Sequence, residues 1–148
     1  TRRSSDLAAS IQPQHAMDDR DVIARFWGTP AGIPYAFNSL HKAGTKLLMG
    51  SDAPVAPLDP WLAISAAVFG TESSDREPFQ PEQCLDFETA LASSTAVGRV
   101  ALRDADAADL VLLDCDPSII DSPEAMRAMP EHVLGTMLAG RWTYQQAE

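Results

Sequence analysis

The sequence is short of cysteine, of basic side chains and of long apolar runs, and each shortage removes a class of protein. Its two cysteines, Cys84 and Cys115, stand far apart with no Cys-x-x-Cys spacing and no histidine cluster around them. They make no disulfide framework and no zinc finger. Reduced, buried thiols in a reducing compartment are the expectation for both. No window approaches the roughly 20 apolar residues of a membrane-spanning helix. Thr1 to Asp6 leads into no apolar stretch of the kind a secretory leader carries, so a soluble, cytoplasmic chain is expected. Eleven Lys and Arg face 21 Asp and Glu, a formal charge of −10. That field repels phosphate backbones and anionic headgroups, so neither nucleic acid nor a membrane surface is an expected partner. Length is itself a shortage. A complete eight-fold βα barrel needs at least about 200 residues, and the chain has 148.

What is present suits a packed domain. Hydrophobic residues make up 45% of the chain, enough for a core, and no repeat or low-complexity segment interrupts it. Leu7 to Ile11 is a short apolar run halted by Gln12-Pro13, which predicts a buried strand entering a loop. That loop is expected to carry His15, the acidic cluster Asp18, Asp19 and Asp21, and the Pro/Gly-rich stretch from Thr29 to Pro34. Tyr35, Leu40 and Ala43 fall near helical spacing and Gly44 suits a left-handed stop, predicting a helix of about ten residues. Thr45 to Gly50 then reads as a strand covered on both faces, as in a parallel sheet.

Asp59-Pro60 is a cap residue followed by proline at the first helical position, and Gly70 is the expected end of that helix. Asp86 caps a second predicted helix from Phe87 to about Ala96. Ala108 to Asp114 is strand-like, and Val133 to Ala139 and Trp142 to Tyr144 read as two strands around a tight turn. Pro117 to Pro130 between them leaves room for a short helix.

The chemistry concentrates at Gly50-Ser51-Asp52-Ala53-Pro54-Val55. Asp52 follows the apolar strand at its carboxyl end, where loops converge on ligands in α/β folds. A carboxylate there can ligate a divalent cation and take a proton from water for a leaving group. Its plainer role is to cap the next turn through its side chain. His15, after the first strand, is the candidate for substrate contact, against the alternative of a loop histidine bonded to backbone. The three acids beside Arg20 read as solvated or as helix caps rather than as a cation site. Phe26, Trp27, Tyr35 and Phe37 are candidates for an apolar substrate wall or for core. Trp61 with Phe69, and Trp142 with Tyr144, share faces at helical and strand spacing and are expected in cores. His41 and His132 are expected to face solvent.

Taken in order, Gln12-Pro13-Gln14-His15, Asp18 to Asp21, Gly50 to Val55 with Asp59-Pro60, Ala108 to Asp114, and Gly140 to Tyr144 resemble the C-terminal portion of amidohydrolase family 3. This family lies within the metal-dependent amidohydrolase superfamily, and the resemblance extends to its deformylase-like members acting on N-substituted formamides. It covers nearly the whole chain, and the Gly-Ser-Asp-Ala-Pro-Val segment is its most specific part. It implies an α/β fold, with 1–100 the C-terminal part of a TIM-like βα barrel and 101–148 the C-terminal strands of a small β-sandwich. Residues near 7 to 14 and 45 to 50 would be the last two barrel strands.

The resemblance further implies that Asp52 is both metal ligand and proton carrier. A divalent metal, zinc by this resemblance, would activate water for hydrolysis of a small-molecule amide or formamide at a carbon-nitrogen bond other than a peptide bond. The family's His-x-His pair, its bridging acid or lysine and its two further histidines have no counterpart here. The stretch Val100 to Ala107 also lacks the family's glycine turn. A catalytic zinc takes three protein ligands, and Asp52 is one. The chain is therefore expected to be a fragment with little or no metal of its own, inactive alone and prone to associate through unpaired strand edges. Completion is expected from the missing N-terminal part of the same protein. A non-catalytic binding module, and half of a split enzyme completed by another chain, are the competing expectations.

Overall fold

The structure is a computed structural model describing residues 7–27, 32–95, 103–104 and 106–147. The expected end of the second capped helix at Ala96, the segment 28–31 of the Pro/Gly-rich stretch, and 96–102 with the 100/101 boundary lie outside the described residues.

Strand β1 (Ala8–Ile11) and strand β2 (Lys46–Met49) pair in parallel, with Ala8 opposite Lys46 and Ile11 opposite Met49. Parallel neighbours need a crossover, and two helices make it. Helix α1 (Pro13–Phe26) occupies the segment expected to be loop. Pro13 stops the strand but also sits at the first helical position, where its missing N–H costs nothing. Behind it Ala16, Met17 and Ile23 are buried at helical spacing, while Asp18, Asp19 and Asp21 face outward. The acidic cluster therefore marks the wet side of an amphipathic helix. Helix α2 (Phe37–Lys42) is six residues long rather than ten, and Gly44 follows it at φ +81°.

Helix α3 (Pro60–Phe69) matches its expected limits. The Asp59 carboxylate accepts from the Trp61 N–H at 2.9 Å, and Gly70 ends the helix in the left-handed region at φ +63°. Trp61, Ala63, Ile64, Ser65, Ala66 and Ala67 are all buried, so the helix is covered around most of its circumference. Helices α1, α4 (Phe87–Ser94) and α5 (Pro123–Arg127) supply that cover. Asp86 caps α4 through the Thr89 N–H at 2.8 Å. The core joins Ile11, Met17, Phe37, Leu47, Trp61, Ile64, Leu85 and Ala90 to Met126 and Met129. Buried Gln14 is satisfied by Glu72 at 2.9 Å and Arg127 at 3.5 Å, a polar tie between α1 and α5.

Strands β3 (Leu110–Leu113), β4 (Val133–Leu138) and β5 (Arg141–Gln145) form an antiparallel sheet in the order β3-β4-β5, with register shifts at Leu112/Leu113 and Thr136/Met137. The hairpin turn, expected at Gly140-Arg141, lies one residue earlier at Ala139-Gly140, both at positive φ, and Arg141 already belongs to β5. The architecture is thus mixed α/β with one parallel pair and one antiparallel sheet.

Four expectations of burial fail among the described residues. Of the first strand, expected to be buried, only Ile11 is, while Leu7 is 58% exposed and Ala8 and Ser10 face solvent. Leu48 of β2 is 39% exposed, so that strand is covered on one side only. Trp142 and Tyr144 are 49% and 48% exposed and form no sandwich core, although the Trp142 ring lies against Gly135. Cys84 and Cys115 are unpaired as expected but half-buried rather than buried. A strand pattern specifies which residues share a face and leaves open whether anything covers it.

Two measurements check this packing. A Cβ on Gly70 would stand 2.8 Å from Cys84 Sγ and 3.0 Å from the Phe79 carbonyl oxygen, at a positive φ as well. Gly70→Ala should therefore destabilise by more than about 1 kcal/mol in urea unfolding, and an unchanged midpoint would refute the close approach. Glu124 on α5 accepts from the Ser74 N–H at 2.6 Å and the Ser74 hydroxyl at 2.8 Å, and these bonds hold its carboxyl down at about 2. A depressed folded-state value stabilises above the unfolded carboxyl range and loses that contribution as pH falls from about 4.5 towards 2. Glu124→Gln should flatten the acid-unfolding profile within that window.

Candidate functional site

The loop carrying Asp52 is anchored at both ends. The Gly50 N–H donates to the Ile11 carbonyl at 3.0 Å, extending the β1–β2 pairing by one bond. At the far end the Asp59 side chain caps α3. Between them the Asp52 carbonyl accepts from the Val55 N–H at 2.9 Å, the Ala53-Pro54 bond is cis, and Ala56 is buried. The loop is a set of tight turns pinned to the sheet and to the buried helix.

Asp52 stands just past the carboxyl end of β2 with φ +57°, an uncommon conformation outside glycine that aspartate and asparagine adopt more readily than other residues. It is exposed, and its carboxylate makes no hydrogen bond or ion pair with another described residue. The alternative of a side-chain cap has no bond to support it; its backbone carbonyl closes the turn instead. The carboxylate supplies one ligand atom. It belongs to no group of three ligating side chains among the described residues, so these residues do not by themselves fit a catalytic metal, which takes three.

His15 is the third residue of α1 and not a loop residue. Its N–H donates to the Gln12 carbonyl at 3.1 Å, while ring Nε2 is closed off from solvent without a hydrogen-bond partner among the described residues. A buried polar atom left in this state calls for a partner, so the alternative of a ring bonded to backbone is not what the geometry shows.

The other candidates separate. Asp19 accepts from the Tyr35 hydroxyl and Asp21 pairs with Arg76, so two of the three acids are already partnered. Burial, and then the bond to Asp19, push the Tyr35 hydroxyl above its ordinary range. Tyr35 and Phe37 meet edge to face at 5.8 Å within the core region. Phe26 and Trp27 are 68% and 60% exposed, and the four aromatics form no single wall. His41 is exposed as expected. It lines an open cleft of about 680 Å³ with Lys46, Asp86 and Glu88, at the amino end of β2 and so away from Asp52.

His132 is not simply solvent-facing. Its Nδ1 lies 2.8 Å from Asp114 Oδ1, and Cys115 completes the one group of three potential ligands found among the described residues. In the sequence Cys115 stands as an isolated thiol and His132 as a surface residue beside Glu131. What joins them is the pairing of the strand ending at Leu113 with the strand starting at Val133, which makes Asp114 and His132 neighbours and which no local sequence pattern states.

The amidohydrolase family model matches residues 3–144. The protein LONG AFTER FAR-RED 3 of Arabidopsis thaliana is 29% identical over 149 aligned positions, covering 93% of this chain and 25% of its own length. "Putative amidohydrolase YtcJ" of Bacillus subtilis (strain 168) is 26% identical over 153 positions, covering 95% of this chain and 28% of its own. The chain thus spans about a quarter of the length of the curated relatives it matches. No solved structure matches. A family match over nearly every residue, on a chain whose exposed aspartate follows a parallel strand, makes this chain a member of the amidohydrolase family.

Proposed function

We propose that the chain is the C-terminal part of a metal-dependent hydrolase acting on an amide or formamide carbon-nitrogen bond other than a peptide bond, with Asp52 as its proton-carrying carboxylate. The observation that carries this reading is Asp52 itself: an unpartnered, exposed acid in a left-handed conformation just beyond a parallel strand. Uncommon backbone states cluster at functional sites, where surrounding structure holds them. In this reading the carboxylate accepts a proton from the attacking water and returns it to the departing nitrogen, so the carboxylate form is restored each cycle. His15 would meet substrate or a neighbouring group through its unpartnered Nε2. The family is in general metal-dependent. Zinc is the metal we infer, with Asp52 contributing one ligand and polypeptide beyond the described residues contributing the others.

The barrel assignment belongs to the same proposal. The parallel β1–β2 pair would be the last two staves of a TIM-like barrel, and β3-β4-β5 the returning half of a small sandwich, with the division near residue 100. Support comes from apolar side chains that lack cover, namely Leu48 on β2, Val111 and Leu112 on β3, and Trp142 on β5. The span of about a quarter of the relatives' length points the same way. The occupant we infer for those faces is the N-terminal part of the same protein, or a complementing chain in a split enzyme. Two unpaired cysteines suit a cytoplasmic setting, and the charge of −10 argues against nucleic-acid or membrane partners.

The test is to express the chain joined to, or together with, the preceding polypeptide and to assay zinc-dependent hydrolysis of N-formyl and N-acyl amines. The joined protein should turn over and the chain alone should not; activity of the chain alone with stoichiometric zinc would overturn the fragment reading. Asp52→Asn should lower kcat by at least about 100-fold, as expected for loss of a general acid-base group. Because asparagine also tolerates the left-handed region, the same variant should unfold within about 0.5 kcal/mol of the parent. Asp52→Val should cost about 1–3 kcal/mol in the same unfolding measurement, from backbone strain. Unchanged kcat in Asp52→Asn would remove the aspartate from the mechanism.

A further inference from the structure

We propose that Asp114, Cys115 and His132 form a binding site for a zinc-class divalent cation where the β3–β4 ladder ends, with water completing the coordination. This inference does not depend on the role of Asp52. The ligating atoms of the three residues, a carboxylate oxygen, the thiol sulfur and an imidazole nitrogen, lie within 4.8 Å of one another. A tetrahedral zinc held at about 2.0–2.3 Å from each ligand separates ligand atoms by roughly 3.5 Å. Small side-chain rotations bring the three to that spacing.

The backbone beneath them is already fixed. Leu113 pairs with Val133, and the Asp114 N–H donates to the His132 carbonyl at 3.1 Å, so two of the three residues are tied across the ladder. The third is adjacent in sequence and turned towards the same point. Cys115 Sγ lies 3.8 Å from Sδ of the fully buried Met129, which packs it from the protein side. His132 and Asp114 have side chains 42% and 45% exposed, leaving a route for a hydrated ion.

The donor set selects the class of ion. Thiolate and imidazole disfavour magnesium and calcium, which take oxygen ligands, and the carboxylate disfavours a purely soft monovalent ion. Zinc accepts all three donors. On binding, the Cys115 thiol releases its proton to solvent and donates a sulfur lone pair, and nothing is oxidised or reduced. Without an ion the same residues read as a plain Asp114–His132 pair beside a thiol. That simpler reading predicts no sulfur–metal bond.

Cobalt(II) titration of the purified protein separates the two. A thiolate–cobalt charge-transfer absorption should appear, be abolished by added zinc and be unaffected by magnesium. It should persist in Cys84→Ser, vanish in Cys115→Ser with unchanged far-ultraviolet circular dichroism, and require at least about tenfold more cobalt in His132→Ala. Tenfold is the lower end of the loss seen even when outer partners of a ligand are removed. Absence of the band in the parent protein, or its loss in Cys84→Ser instead, would overturn the site. Should Cys115→Ser fail to fold, alkylation of Cys115 in the parent decides: protection by zinc but not magnesium supports the site, and equal reactivity with and without zinc refutes it.

Discussion

The burial of α3 is the constraint on which the arrangement turns. A ten-residue helix composed of Pro, Trp, Leu, Ala, Ile, Ser, Val and Phe offers water almost no polar face, so it must be wrapped. Even its one hydroxyl, on Ser65, is fully buried and donates to the Pro123 carbonyl at 3.3 Å. Helices α1, α4 and α5 are placed by that requirement, and α4 in turn lies against β2. The Asp59 cap and the Gly70 stop fix where the helix begins and ends. Once its start is fixed, the stretch from Gly50 to Asp59 must bridge a set interval between the sheet and the helix, and Asp52 takes its position within that bridge.

The parts of this fold that were legible in the sequence are those set by local chemistry. Asp59-Pro60 with Gly70, and Asp86 before Phe87, are end signals whose hydrogen bonds the structure contains. The parallel pairing of the strands at Ala8–Ile11 and Lys46–Met49 agrees with apolar runs separated by a crossover. Pro13 misled because proline both terminates strands and begins helices, and only the burial of Ala16, Met17 and Ile23 separates the two uses. Coverage was not legible. Alternation along Trp142 and Tyr144 defines a strand, but whether that surface meets another layer depends on polypeptide elsewhere.

The functional residues divide in the same way. Asp52 was found because its position after an apolar strand is a local signal. The neighbourhood of Asp114, Cys115 and His132 depends on the register between two strands almost twenty positions apart, and no local pattern states it. His15 stands between these cases. Its position near the strand exit was legible, whereas its enclosure and its unpaired nitrogen arise from packing.

The backbone at Asp52 has one more consequence. At φ +57° the main chain admits few residue types comfortably, and aspartate is among them without regard to catalysis, because its short polar side chain can offset the steric cost by interacting with the nearby backbone. Geometry and chemistry therefore favour the same side chain at this site. Across homologous proteins, retention of an acid here is weaker proof of a working enzyme than it looks, since a lineage that abandoned hydrolysis would still meet resistance from the polypeptide to most replacements. Glycine and asparagine are the substitutions that such a silenced lineage would be able to accept.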